Sequence, residues 1–297
     1  MPSDIPGFTQ SRIATNGIRL SVHQGGGGRP LILLHGYPQN HMCWAKVAPE
    51  LTRHFNVIIP DLRGYGDSDA PADDTAHTVY SKLEMARDVV GLMDALGIEK
   101  AMILGHDRGA RVTYRLALDH PHRVDRIGII EIVPTGDFWA AWNADLALAA
   151  YHWTFLAQPS PLPERLIAAD PVAYLDHTLS SWTLDKTLAH FGEAALASYR
   201  RQAGDPARIA AMCADYRAGA TTDRDLDEED RAAGRQIACP VKFLWAETGF
   251  PARTGDPAAT WRPWAPDLQD SSCRSGHFAM EENPAAVKDS FVAFFRG

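Results

Sequence analysis

Asp107 stands in a setting that suits a nucleophile. The apolar run Ala101-Met102-Ile103-Leu104 enters Gly105-His106-Asp107-Arg108-Gly109, and a helix-like stretch leaves it. A strand-to-helix turn flanked by glycines thrusts its middle side chain upward. Two further pieces complete a catalytic order. His277, in Ser275-Gly276-His277-Phe278, supplies a late base, and His35-Gly36-Tyr37-Pro38 follows an apolar run where one N–H of an oxyanion hole would lie. The N–H of Arg108 would be the other. A serine attacking tetrahedral carbon would leave an ether that water does not readily cleave. An aspartate leaves an ester, which water activated by His277 can open at its carbonyl carbon. The pattern therefore indicates displacement at sp³ carbon, by halide loss or epoxide opening, rather than acyl transfer. The plain alternative is that Asp107 caps the helix it precedes.

Arg108 and Arg111 lie three apart at the start of that helix and can face one side. Surface solvation is the ordinary role of an arginine. Beside a nucleophile, two guanidinium forks instead suit a carboxylate on the substrate. Tyr151-His152-Trp153 and Asp215-Tyr216-Arg217 offer imidazole, indole and phenol donors that could hold a departing halide. By themselves such residues are more often packing aromatics.

These groups need elements to carry them. Compact apolar runs at 31–34, 57–59, 102–104, 127–132 and 241–245, with helical stretches between, read as strands of a parallel sheet covered on both faces. Residues 79–96 and 285–295 read as amphipathic helices, and Gly97 as a stop. The run Gly25-Gly26-Gly27-Gly28 lacks the Lys-Ser/Thr of a P-loop and reads as a hairpin connection. Residues 135–236 lose the strand rhythm. They read as a helical lid inserted into a core of residues 1–134 and 237–297, above the strand ends where open α/β sheets bind ligands.

The turn at Asp107, the late His277, His35-Gly36-Tyr37-Pro38 and Asp61-Leu62-Arg63-Gly64-Tyr65-Gly66-Asp67-Ser68 resemble the α/β-hydrolase fold. In many of its members the acid that orients the histidine follows the strand after the lid. Here Trp245-Ala246-Glu247-Thr248-Gly249 puts glycine at that place, so Glu131, closing the strand before the lid, is preferred. Glu247 and Asp256 stay open. More narrowly, Gly105 to Arg111, Glu-Ile-Val-Pro-Thr at 131–135, Tyr151-His152-Trp153 and Asp215-Tyr216-Arg217-Ala218 look like the haloacetate dehalogenases. That resemblance covers nearly the whole chain. It implies an Asp107 nucleophile, a His277 base, and Arg108 and Arg111 on the substrate carboxylate. It also implies His152, Trp153 and Tyr216 around the halide, Trp182 lining the cavity, and a homodimer. Haloalkane dehalogenases typically carry tryptophan where this chain has Arg108. The family's acid is normally aspartate, so Glu131 must accommodate an extra methylene.

The bulk properties narrow the rest. A net charge of −8 over 297 residues argues against nucleic acid or an anionic membrane as partner. The start MPSDIPGFTQ has no basic and apolar leader, and no apolar run is of membrane length, so the sequence reads as cytoplasmic. The four scattered cysteines read as free thiols. No metal-ligand pattern such as H-E-x-x-H occurs, and no metal or organic cofactor is expected. The expected partner is a small anionic organohalide. An epoxide hydrolase, which uses the same aspartate, is the runner-up. It normally draws on two lid tyrosines, among Tyr151, Tyr174, Tyr199 and Tyr216, and leaves the arginine pair unexplained. A non-catalytic receptor or a serine-type esterase fits less of the pattern.

Overall fold

The computed structural model describes residue 1 and residues 3–297. Eight strands form one sheet: β1 (Thr9–Thr15), β2 (Ile18–Gly26), β3 (Pro30–Leu34), β4 (Asn56–Pro60), β5 (Ala101–His106), β6 (Val124–Ile130), β7 (Val241–Ala246) and β8 (Leu268–Cys273). Their order is β1-β2-β4-β3-β5-β6-β7-β8. The pairings of β1 with β2 and of β2 with β4 are antiparallel, and the others are parallel.

The central strands explain the apolar runs. All six residues of β5 are buried, as are Leu31 to Leu34 of β3 and Ile127 to Ile130 of β6. A strand with helices on both faces has no polar side, so its pattern is continuous rather than alternating. Strand β8 escaped the sequence reading because Leu-Gln-Asp-Ser-Ser-Cys is a polar edge strand with only Cys273 buried. The glycine run does not join a hairpin. β2 pairs with β4, and β3 lies on the far side of β4, so the run leads out of β2 towards a strand it does not touch.

The helix expected over 79–96 spans Lys82–Ala95. Ser81 caps it, its Oγ accepting the Glu84 N–H at 3.2 Å, and Gly97 beyond its end takes φ +68°. The C-terminal helix spans Pro284–Arg296. Between β6 and β7 the described residues form helices and no strand, from Thr135–Ala140 to Thr222–Ala232. Among the described residues no helix is long and apolar enough to cross a membrane. All four cysteines are free.

Parallel strands bring their carboxyl ends to one edge of the sheet. Tyr37 comes three residues after β3, Asp107 directly after β5, Glu131 directly after β6 and His277 four residues after β8. Groups 240 residues apart in sequence thus meet along one rim.

Candidate active site

Asp107 sits at φ +49°, ψ −120°, a conformation L-residues rarely adopt. Close packing beneath the turn holds it there: a Cβ on Gly109 would lie 2.3 Å from the His35 carbonyl oxygen. The side chain makes no capping bond to the helix Arg108–Asp119, so the capping alternative falls. Instead Oδ1 accepts the Tyr37 N–H at 2.7 Å, while Oδ2 lies 3.6 Å from Nε2 of His277. One oxygen is seated at the expected oxyanion donor and the other faces the base. Arg108 is the first helical residue, so its N–H has no intrahelical acceptor and remains for the second donor role.

His277 lies between two carboxylates, with Nδ1 3.8 Å from Oε1 of Glu131. Its backbone fixes the ring. The His277 N–H donates to the Trp182 carbonyl at 2.8 Å, and its own carbonyl lies 2.8 Å from Nε2 of His106. Burial alone would push the imidazole down, but Asp107 and Glu131 outweigh it and raise it from 6.5 to about 9. The resting ring therefore carries a proton at neutral pH. Burial also pushes down His106, to about 3, which keeps it neutral. Asp107 is held well below the carboxylate range: its burial is outweighed, chiefly by His277.

Glu131 takes φ +62°, and its carboxyl organises the loop after β7. Oε2 accepts the Ala246 N–H at 2.7 Å and Oε1 the Phe250 N–H at 3.0 Å. A Cβ on Gly249 would fall 1.5 Å from Oε1. The glycine found where an acid was sought is the space that the longer glutamate fills. Of the two alternatives, Asp256 caps a short helix through the Ala259 N–H, and Glu247 approaches Ser272. Neither has a contact with His277 among the described residues.

The two arginines differ. Arg108, fully buried, bonds Asp215 through Nε at 2.9 Å and through Nη2, and its Nη1 has no partner. Asp215 also takes Lys82 on the same oxygen and the Tyr65 hydroxyl at 2.8 Å on the other. Arg111, 2% exposed, donates only to the Val133 carbonyl and Thr135 Oγ1, at 3.1 and 2.9 Å. Among the described residues no carboxylate pairs with it. Burial pushes its pKa down, as expected for a cation without a counter-ion. Trp153 lies against both guanidinium groups, 4.6 Å from Arg111 and 5.4 Å from Arg108. Asp215→Ala would strand Arg108 as a buried, unpaired cation and leave Lys82 only Asp223, 3.7 Å away. It is expected to lower unfolding stability by ~3–5 kcal/mol, read by urea denaturation. A loss under ~1 kcal/mol would mean that the triad contributes little to holding the insertion on the core.

A cavity with about 270 Å³ of empty space opens at Asp107, lined also by Arg111, Glu131, His152, Trp153 and His277. Nδ1 of His152 and the hydroxyl of Tyr216 are buried without partners among the described residues. Burial holds His152 well below 6.5, so it stays a neutral donor. Arg108, Tyr216, Tyr37 and Trp182 stand around this cavity rather than on its wall. Tyr216 packs edge-on to His152 at 5.4 Å, and Trp182 lies 4.2 Å from the same ring. Sequence reasoning missed Lys82, which reads as an ordinary helix lysine, and Phe250, which follows a loop with no motif. No local signal marks either.

A model of the alpha/beta hydrolase fold matches residues 29–249. The chain is 38% identical over 278 residues to fluoroacetate dehalogenase of Burkholderia sp, covering 94% of this chain and 90% of that protein. It is 32% identical over 293 residues to soluble epoxide hydrolase of Corynebacterium sp. (strain C12), covering 97% of each. A crystal structure from Nostoc sp PCC 7120 superposes with a TM-score of 0.95, at 45% identity, over 98% of this chain and 99% of that one.

Proposed function

The chain belongs to the α/β-hydrolase fold family, and from that premise we propose that it hydrolyses haloacetates to glycolate and halide. The observation that carries this reading is Arg111, a buried cation on the wall of the cavity that holds Asp107, with no carboxylate paired to it among the described residues. A neutral haloalkane or epoxide makes no use of that charge, whereas a haloacid carboxylate completes it.

In the first step Oδ2 of Asp107 displaces the halide, forming an alkyl ester. The halide leaves towards His152, Trp153 and Tyr216, whose neutral donors do not compete as nucleophiles. Esterification removes the Asp107 charge that helps hold the proton on His277, so the pKa of the ring falls and the proton departs to solvent. The neutral ring then takes a proton from water, which attacks the ester carbon while the Tyr37 and Arg108 N–H groups hold the developing oxyanion. Collapse expels glycolate, protonated by His277, and the proton of the regenerated Asp107 carboxyl returns to the ring. The net change is haloacetate plus water to glycolate, halide and one proton.

Halide release from chloroacetate and fluoroacetate tests the reading directly. Release from neither, by folded protein, would overturn it. Arg111→Met is expected to reduce kcat/KM for chloroacetate about a hundredfold or more, in line with the ~2–5 kcal/mol lost on truncating a buried charge partner. Chloroacetamide, which lacks the charge, should change far less, and equal losses on both would remove the carboxylate role. A second reading, epoxide hydrolysis, is favoured by the unpartnered Tyr216 hydroxyl as a proton donor and by the epoxide hydrolase relative. Styrene oxide turnover without halide release would establish it instead.

A further inference from the structure

We propose that Phe250 sets the upper size of the acid this site accepts, as the side chain whose bulk closes the wall between two cavities. The proposal rests on the haloacid reading above. The inner cavity of about 270 Å³ surrounds Asp107 and Arg111, and an outer one of about 630 Å³ opens to solvent past Tyr151, Trp182 and Lys186. Two residues line both, Phe250 and His277. His277 is pinned by its backbone bonds and by its task, so Phe250 is the side chain whose volume decides whether the cavities join. Its ring lies 5.1 Å from His277, 5.3 Å from Trp182 and 5.7 Å from His152.

Its place is set by the same carboxyl that faces the base. Oε1 of Glu131 accepts the Phe250 N–H at 3.0 Å, and Gly249 leaves room for that oxygen. The partition is therefore as fixed as the acid itself. The inner cavity is tight, so with the carboxylate on Arg111 and the α-carbon at Asp107 it leaves no room for more than a two-carbon acid. A longer 2-haloacid must send its chain towards the outer cavity, and Phe250 stands in that direction.

The test is the ratio of kcat/KM for 2-chlorobutyrate to that for chloroacetate. Phe250→Ala is expected to raise the ratio tenfold or more, within the roughly 10–200-fold that a methylene-sized change in an apolar pocket commands. Phe250→Trp is expected to lower it, which keeps the test decisive if the alanine variant fails to fold. An unchanged ratio in a folded variant would overturn the proposal, as would wild-type protein that handles both acids equally. If wild-type protein releases no halide, the dehalogenase reading fails separately. Calorimetric binding of acetate and butyrate then decides the proposal. It stands if Phe250→Ala gains affinity for butyrate relative to acetate, and it falls if there is no such gain or if neither acid binds.

Discussion

His277→Ala is expected to release a single equivalent of halide from chloroacetate and then stop. Alkylation needs only the Asp107 carboxylate. Loss of the ring removes the chief group that holds its pKa down, but the Tyr37 N–H and the nearby Arg108 still favour the anion, so the first step survives. Hydrolysis needs a base on Nε2, and the other imidazole on the cavity wall, His152, is held well below 6.5 by burial and is a poor substitute. Steady-state turnover should fall by about 10⁴-fold or more, the scale of loss when a base in a catalytic unit is removed. Mass spectrometry of the peptide carrying Asp107 should show one added carboxymethyl group. Substrate-treated variant without that adduct would exclude a covalent route. The wild-type pH dependence follows from the same electrostatics. Free protein keeps the His277 proton below pH about 9, yet the ester form has lost the Asp107 charge that helps hold it. Ester hydrolysis in single turnovers should therefore rise with pH through an apparent pKa below 9. A midpoint at or above 9 would mean that Asp107 does not support the proton.

Asp107→Asn is expected to abolish turnover, by ~10⁴-fold or more, and at the same time to bind haloacetate more tightly. The second half is the informative one. In wild-type protein the substrate carboxylate enters a cavity that already holds the anion of Asp107, and repulsion between like charges in a desolvated site costs several-fold in affinity or more. The amide keeps the shape and removes the charge, leaving Arg111 with the substrate as its anionic partner. Calorimetry with chloroacetate would show the tightening. Weaker binding by the folded variant would place the carboxylate somewhere other than beside Arg111.

Much of this molecule was legible in its residue order. The strand runs, the turn at Asp107, the late histidine and the long strand-free insertion are local patterns, because backbone periodicity and turn chemistry act over a few residues. Strand β8 was not legible, since an edge strand buries little and carries no apolar signature. Glu131 was preferred as the acid, but Glu247 and Asp256 stayed open for a different reason. The choice depends on which carboxyl reaches Nδ1 of His277, and that is set by the neighbouring ends of β6 and β7 and by the missing side chain of Gly249.

The arginines show the division most clearly. Their types and spacing indicated a carboxylate site, but nothing local distinguished Arg108 from Arg111. Folding places Lys82 and Asp215, 133 positions apart, within bonding contact, and Asp215 then engages Arg108 and leaves Arg111 without a counter-ion. The amino-acid sequence by itself determined which groups are present: an aspartate placed as a nucleophile would be, a histidine placed as a base would be, and cations near them. Tertiary structure alone decided which cation is left unpaired and how large the space before it is. Charge pairing and cavity shape are sums over residues distant in the chain, and such sums exist only once the chain has closed on itself.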